Sequence, residues 1–176
     1  MKKSPPKSLF KTLFLEGQFA DLRIGMSDYQ VLKLLGVPRY RGSANGMVWW
    51  YGDKTGNLEV MFGGRRVNMI MITYWKQATP VLPKRLLRGF SGLASFRRPQ
   101  SFIKYWNKNN VIYNKVPRLS WRDQVTYEVA TRSQNVVQLI FDRERNDRIA
   151  KLILYKGSTG ALVESVTVTS NADTEP

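Results

Sequence analysis

The residues in this sequence that could do chemistry fall into two short clusters, one acidic and one rich in glycine. The acidic cluster, Asp142, Glu144 and Asp147, has a spacing that carboxylate ligands of a magnesium ion could have. Three arginines alternate with these residues. A segment that neutralises its own charge in this way is typical of a solvated loop. Gly63-Gly64-Arg65 lacks the Lys-Ser/Thr pair of a phosphate-binding loop, so it indicates a turn. We therefore expect no metal ion and no cofactor at either cluster.

Histidine and cysteine are both absent from the 176 residues. Their absence excludes Ser-His-Asp and Cys-His triads, thiol nucleophiles, disulfides and the usual zinc sites. An enzyme built from this sequence would have to use carboxylates, lysine, tyrosine or serine alone. No such constellation stands out, so the sequence predicts a protein that is not an enzyme.

The charge of the chain is strongly positive. The sequence contains twenty-eight Lys and Arg residues and thirteen Asp and Glu residues, which gives a net charge of +15. Hydrophobic residues make up 43% of the chain. Such a charge attracts acidic proteins, nucleic acids or anionic membranes. The basic residues are spread along the chain without a long block, so a charge that serves only solubility stays an open alternative.

The beginning of the chain is cationic but does not continue into an apolar segment. Lys7, Lys11 and Glu16 interrupt the residues that follow the first six. A signal peptide or a membrane-spanning helix needs a longer apolar run than any in this sequence. We therefore expect a cytoplasmic bacterial protein without a membrane span.

Apolar periodicity and turn residues predict the secondary structure. Ser27 is a suitable N-cap, and Gly17, Gly36 and Pro38 are suitable helix ends. Period-two alternation indicates strands separated by turns, and it predicts that one face of the strands packs on the helices. The residues predicted to face the helices are Leu58, Val60, Phe62, Val137, Leu139 and Phe141. The sequence predicts helices at residues 8–17, 28–35 and 100–107, and strands at 47–51, 58–62, 67–75, 124–131, 136–141, 148–155 and 161–169.

Two parts of the sequence show the same order of apolar strands and turns. Residues 58–72 and 137–154 both contain an apolar strand, a turn and a second apolar strand that starts with arginine. The preceding helices align as well, with insertions confined to loops, where they are tolerated. The sequence therefore predicts an α+β protein of two repeated units, each a helical segment packed on a three-stranded antiparallel sheet. The first unit covers residues 1–79, and the second covers residues 80–176 and has an extra C-terminal strand. The two units could be separate or could merge into one domain.

Four runs in the first half carry a resemblance to known families. They are Leu-Arg-Ile-Gly-Met at 22–26, Val-Leu-Lys-Leu-Leu-Gly-Val-Pro at 31–38, Trp-Trp-Tyr-Gly-Asp at 49–53 and Leu-Glu-Val-Met-Phe at 58–62. The pattern resembles the SmpA/BamE-like helix-plus-hairpin fold. It is also similar to cytoplasmic immunity proteins encoded beside bacterial polymorphic toxins.

The resemblance covers about residues 21–75, with a degenerate second copy over 92–156. It implies an antitoxin that binds a cognate toxin and neutralises it by occluding the active site. A BamE-like assembly or scaffold factor is a further alternative. In either family, the matching Gly25, Gly36 and Pro38 would have structural roles.

Arginines beside aromatic residues are the first candidates for contact with a partner. The planar guanidinium pairs with carboxylates through two hydrogen bonds, so it suits an acidic groove on a toxin. The candidate partner-binding residues are Arg41, Trp49, Arg65, Arg66, Arg143 and Arg145.

An apolar docking face is the alternative. It would comprise Met61, Met69, Met71 and Trp75, joined either by Trp49 and Tyr51 or by Trp50. Methionine and tryptophan bury large, adaptable areas at interfaces. Packing of this face against another part of the chain is equally open.

Nucleic-acid or ribosome binding is the second hypothesis for the function, after the antitoxin and before the scaffold factor. Basic residues flank aromatic ones at 39–41 and at 104–108, and Lys54 lies near Tyr51. Aromatic side chains next to cations can stack nucleic-acid bases. No established nucleic-acid-binding motif accompanies them, so this hypothesis ranks below a protein partner.

Overall fold

Short helices and strands alternate along the chain in the computed structural model, which describes residues 7–42, 47–53, 56–74, 82–86, 88, 90–91, 98–120, 123–144 and 146–157. The first part contains β1 (Lys7–Ser8), α1 (Leu9–Glu16), β2 (Gln18–Phe19), β3 (Leu22–Arg23), α2 (Asp28–Leu35), β4 (Tyr40–Gly42), β5 (Met47–Asp53), β6 (Gly56–Gly63) and β7 (Arg66–Tyr74). The second part contains β8 (Phe90–Ser91), α3 (Pro99–Lys108), β9 (Tyr113–Lys115), a 3-10 turn (Pro117–Leu119), β10 (Gln124–Ala130), β11 (Asn135–Asp142) and β12 (Arg148–Lys156).

Eight of these strands form one antiparallel sheet in the order β4-β5-β6-β7-β12-β11-β10-β9. At its centre β7 pairs with β12, with Met71 opposite Ile153 and Ile70 opposite Leu154. The expectation of two units, each with a three-stranded sheet of its own, is therefore wrong. A sheet that ended at β7 would leave a nine-residue edge of unpaired backbone groups, and pairing with β12 satisfies that edge. The division of the chain at residue 79 stays a prediction.

The two outermost strands of the sheet are short. β4 and β9 contain three residues each, and neither was expected from the sequence. Short edge strands limit the row of unpaired N–H and C=O groups that another chain could extend.

The helices begin and end where their capping residues predict. The Ser27 hydroxyl accepts from the Gln30 backbone N–H at 3.2 Å, and the Gln30 side chain accepts from the Ser27 N–H at 2.9 Å. This reciprocal capping box satisfies two backbone donors that the first turn of α2 leaves open. Gly17 caps α1 in the left-handed region at φ 65°, and Gly36 follows the last residue of α2. The predicted ends of both helices are confirmed.

The three helices share one hydrophobic core on one face of the sheet. Aromatic rings join α1, α3 and β11: Phe14 lies 5.5 Å from Trp106, and Phe102 lies 5.6 Å from Phe141, measured between ring centroids. Such pairs contribute about 0.5–1.5 kcal/mol each beyond the area that they bury. The strand residues predicted to face the helices are buried in this core: Leu58, Val60, Phe62, Val137, Leu139 and Phe141.

The segment before α2 is bonded to the tip of the β6–β7 hairpin. The Gly25 N–H donates to the Val67 carbonyl at 2.7 Å, and the Val67 N–H donates to the Met26 carbonyl at 2.8 Å. The Asp28 N–H donates to the carbonyl of Arg65 at 3.1 Å, and Arg65 itself has a φ of 62°. The hairpin turn therefore fixes the position at which α2 begins.

Each remaining predicted helix and strand up to residue 156 matches an element to within two residues at either end. The predicted strand at 161–169 lies outside the described residues. Among the helices that the structure describes, the longest has ten residues, and none could cross a membrane, which takes about 20 apolar residues.

Candidate functional site

The face of the sheet turned away from the three helices carries apolar side chains at its centre. Met61 on β6 lies opposite Met69 on β7, and Met71 on β7 lies opposite Ile153 on β12. All four side chains are half-buried. Cβ atoms of directly opposite residues are about 4.5–5.5 Å apart, so these residues form a continuous surface. We call the four residues the methionine patch.

A tryptophan and a glutamate border the patch on one side. Trp50 lies opposite Glu59, which in turn lies opposite Met71. The Trp50 indole N–H donates to the Glu59 side chain. Burial raises the pKa of the Glu59 carboxyl, while the Trp50 hydrogen bond and the charge of Lys151 oppose that rise. The indole ring lies against Gly42, where an added Cβ would come within 2.6 Å of Trp50 Cη2.

A second glutamate borders the patch on the other side. Glu128 Oε1 accepts from Gln138 Nε2 and from the Tyr155 hydroxyl, each at 3.0 Å. Tyr155 lies opposite Met69 and Gln138 lies opposite Ile153, so both donors adjoin the patch. These bonds hold the three polar side chains in fixed positions around the apolar centre.

The two glutamates are too far apart to act on one bond. β6 and β10 are separated by four strand spacings in the sheet order, which at about 4.8 Å each gives roughly 19 Å. Paired carboxylates in glycosidases lie about 5–9.5 Å apart. Among the described residues, no group of three acidic side chains gathers as ligands of a metal ion. The arrangement is one of an apolar centre with a polar border.

Arg65 and Arg66, which the sequence nominated for partner contact, lie together at the tip of the β6–β7 hairpin. Arg65 Nε donates to Asp28 Oδ2 at 2.8 Å, and Arg66 Nη1 donates to the Gly25 carbonyl at 3.0 Å. Arg65 thus binds the first residue of α2, and Arg66 binds the segment that precedes the helix. They remain partner-binding candidates, but each already has an internal contact.

Arg41 and Trp49 are direct neighbours across β4 and β5. The Arg41 guanidinium carbon lies 5.0 Å from the centre of the Trp49 ring, a cation–π contact. Trp49 is only 4% exposed and packs on Phe62 on the helix side of the sheet. The expectation that Trp49 contacts a partner therefore needs correction, because the indole is part of the core and only Arg41 reaches solvent.

Arg143 lies at the opposite end of the sheet from Arg65 and Arg66. Arg66 precedes Met71 by five residues, and Arg148, the first residue of β12, precedes Ile153 by five, while β7 and β12 run antiparallel. The two hairpin tips are therefore about ten residue rises apart, or roughly 33 Å. Arg145 lies outside the described residues. Within the described part of the chain, the predicted arginines do not form one cluster.

The structure places the described methionines of the alternative, apolar docking face side by side. Met61, Met69 and Met71 lie with Trp50 on the face of the sheet that carries none of the described helices, which we call the helix-free face. Trp49 and Tyr51 point to the helices, and Trp75 lies outside the described residues. Sequence reasoning missed Ile153, because only the pairing of β7 with β12 places it beside Met71.

At the level of sequence, the chain matches no protein-family model and no curated protein. Its structure is similar to that of YjgB, a DUF4309 family protein from Bacillus subtilis subsp. subtilis str. 168, with a TM-score of 0.53 and 14% identity over 84% of this chain and 93% of that chain.

Two other solved structures resemble it more weakly. An extracellular protein with an SCP domain from Bacillus anthracis str. Ames gives a TM-score of 0.47 and 11% identity over 89% of this chain. A cysteine-rich secretory protein from Staphylococcus aureus subsp. aureus Mu50 gives 0.42 and 10% over 76%. The matches span 48% and 44% of those two chains. The likeness to the DUF4309 protein concerns the fold alone.

Proposed function

We propose that this chain is a non-catalytic binding protein that takes a protein partner on the helix-free face of its sheet. The observation that carries the proposal is the methionine patch. A sheet face without helices normally presents polar side chains to water, whereas this one presents Met61, Met69, Met71 and Ile153 at its centre. Interface centres are enriched in methionine and aromatic residues and depleted of charge.

The partner that suits this face is an acidic protein with an apolar contact surface. The net charge of +15 speeds encounter with an acidic protein, while burial of the patch supplies the affinity. In its narrower form, the proposal is that the partner is a toxin whose active site is covered on binding, as the family resemblance suggests. In that form the protein acts in the cytoplasm, where the toxin would be made.

Methionine methyl groups allow a direct test on the full chain. The proteins encoded by the two genes that flank this one would be purified and titrated into protein with ¹³C-labelled methionine methyls. We expect the resonances of Met61, Met69 and Met71 to shift or broaden with one of these proteins. Met26 and Met47 pack on the helix-side core and serve as internal controls that should not move.

The outcomes separate the broad proposal from the narrow one. Shifts confined to Met26 and Met47, or binding that leaves every methyl unchanged, would contradict the proposed face. Binding at the patch by a protein that does not inhibit bacterial growth would support a protein-binding role and contradict the toxin. If neither flanking protein binds, the immunity form of the proposal is wrong.

Nucleic-acid binding is a second candidate that one observation favours. Tyr40 on the edge strand β4 is 61% exposed, and the Arg39 guanidinium carbon lies 5.5 Å from the centre of its ring. Bases can stack on such a pair. Binding through phosphates would weaken steeply with salt, because each contact releases counterions. Sequence-tolerant binding of RNA that survives 150 mM salt and is lost in Tyr40→Ala would favour this candidate.

A further inference from the structure

An open pocket of about 390 Å³ lies beside the edge strand β4. It is formed where the end of α2, the beginning of β4 and the end of β5 meet the segment at 82–83. We call it the edge pocket; its lining residues are Leu35, Val37, Arg39, Tyr51, Gly52, Leu82 and Pro83. It lies on the helix side of the sheet, because Tyr51 belongs to the helix-side core, so it is separate from the methionine patch.

The rim of the pocket leaves apolar surface in water. Val37 is 79% exposed although it is a large aliphatic residue, and Leu35, Leu82 and Pro83 continue the apolar lining behind it. Single exposed apolar residues are ordinary. Here the exposed valine lines a concavity with three further apolar residues, which is the usual construction of a ligand site.

Arg39 supplies the positive charge among the described lining residues. Its backbone N–H donates to the Trp50 carbonyl at 2.8 Å, which fixes the backbone at the mouth of the pocket. Its Nη1 donates to the Gly52 carbonyl at 3.4 Å, and this long contact uses one of the five donors of the guanidinium. The side chain is exposed.

Tyr51 is polar but does not add charge to the pocket. Its hydroxyl donates to the Gly36 carbonyl at 3.2 Å. Burial raises the pKa of Tyr51 to about 12, so the phenol stays neutral at physiological pH. A ligand therefore meets an aliphatic wall with one cation at its edge.

We propose that the edge pocket binds a carboxylate with a short apolar tail, the carboxylate on the Arg39 guanidinium and the tail against Leu35, Val37 and Leu82. Arginine pairs with a carboxylate through two parallel hydrogen bonds. The pocket volume of about 390 Å³ lies at the lower end of the range of small-ligand pockets, about 300–1,000 Å³, which suits a ligand of about ten non-hydrogen atoms. The source of the carboxylate is either a free organic acid or the end of a peptide chain.

Octanoate is the probe for the free acid, and a tetrapeptide that ends in leucine is the probe for the peptide. Binding to the full chain would be followed by amide chemical shifts at Val37 and Gly52. We expect saturable binding by one of the two probes, with a Kd on the order of 1 mM for so small a ligand. Octylamine and the C-terminally amidated tetrapeptide keep the tails without the carboxylate and should fail to bind.

Substitutions test whether the probes bind in the edge pocket. Arg39→Gln should weaken the bound probe at least tenfold, and Val37→Glu should weaken it through repulsion at the rim. Arg132→Gln removes another exposed arginine, from the turn after β10, and should leave binding unchanged.

Tighter octanoate binding would identify a free acid as the ligand class, and tighter peptide binding would identify a chain terminus. The proposal is overturned if neither probe saturates, if octylamine binds as well as octanoate, or if Arg39→Gln binds as tightly as the unaltered chain. Since the pocket is separate from the methionine patch, these outcomes do not depend on the test of the protein partner.

Discussion

Arg65 donates a hydrogen bond from Nε to Asp28 Oδ2 over 2.8 Å, and this pair joins the tip of the β6–β7 hairpin to the first turn of α2. The Arg65 side chain is 82% exposed, so solvent screens the attraction and the pair contributes little to overall stability. Its role is to position the hairpin turn against the helix. A charge reversal at Arg65 would break this internal contact as well as any contact with a partner.

Asp28→Asn should lower stability near neutral pH but not in acid. The hydrogen bond from Arg65 lowers the pKa of Asp28 below its ordinary 3.8. The stability that this carboxylate contributes is therefore present above that value and is lost as the pH falls through the lower, folded-state pKa. Urea unfolding between pH 2.5 and 7 measures the difference. Asp21→Asn, at the exposed turn between β2 and β3, is the control. An Asp28→Asn effect of equal size at both ends of the range would contradict the assignment.

Glu59→Gln should raise stability near neutral pH, whereas Asp28→Asn should lower it. Burial raises the pKa of Glu59 above its ordinary 4.5, so the folded protein retains that proton to a higher pH than the unfolded chain does. Stability then falls as the pH rises from 4.5 through the folded-state pKa, and the neutral amide avoids this loss. We expect a higher urea midpoint for Glu59→Gln at pH 7 and no difference at pH 3. A variant that is less stable at pH 7 would show that the ionised form is favoured on this face.

Leu58→Ala should destabilise the protein by about 2–5 kcal/mol, through lost burial and the cavity left behind. Leu58 is fully buried between the helices and the sheet. Ile112, between α3 and β9, is 66% exposed, and Ile112→Ala should change the free energy of unfolding by less than about 0.5 kcal/mol. Equal effects in chemical denaturation would mean that the core is assigned to the wrong residues.

Gly42→Ala should move the Trp50 ring without unfolding the edge strand. The added Cβ would lie 2.6 Å from Trp50 Cη2, which is the far end of a side chain that can turn aside. The better strand conformation of alanine, worth about 0.5–1 kcal/mol, offsets part of the cost. We expect the Trp50 indole N–H resonance to shift, because its bond to Glu59 changes. The buried Trp106 is the internal control, and a Trp50 resonance that stays in place would contradict the contact.

Local features of this fold were predictable from the sequence because short-range chemistry determines them. Ser27 with Gln30 three residues later, Gly17 and Gly36 fix the helix ends through bonds within one turn. Alternation in residues 58–62 and 137–141 identified the buried face correctly, because a strand with one buried face repeats every two residues.

The pairing of β7 with β12 was not predictable in the same way. Both strands are apolar on both faces, so either could have been an edge covered by something else, and nothing local selects Ile153 as the neighbour of Met71. The face on which each candidate-site residue lies was also not predictable from the local sequence. Trp49 and Trp50 are adjacent in sequence, and only the register of β5 on β6 sends the first into the core and the second to the helix-free face.

The pairing of Ile70 with Leu154 also has a consequence for synthesis of the protein. These residues are 84 positions apart, and at about 5–20 residues per second the ribosome needs roughly 4–17 seconds to make the chain between them. During that interval the nine-residue β7 emerges without the strand that covers its edge. A nascent chain in this state is prone to pair with other strands, so its yield should depend on chaperones and on the speed of translation.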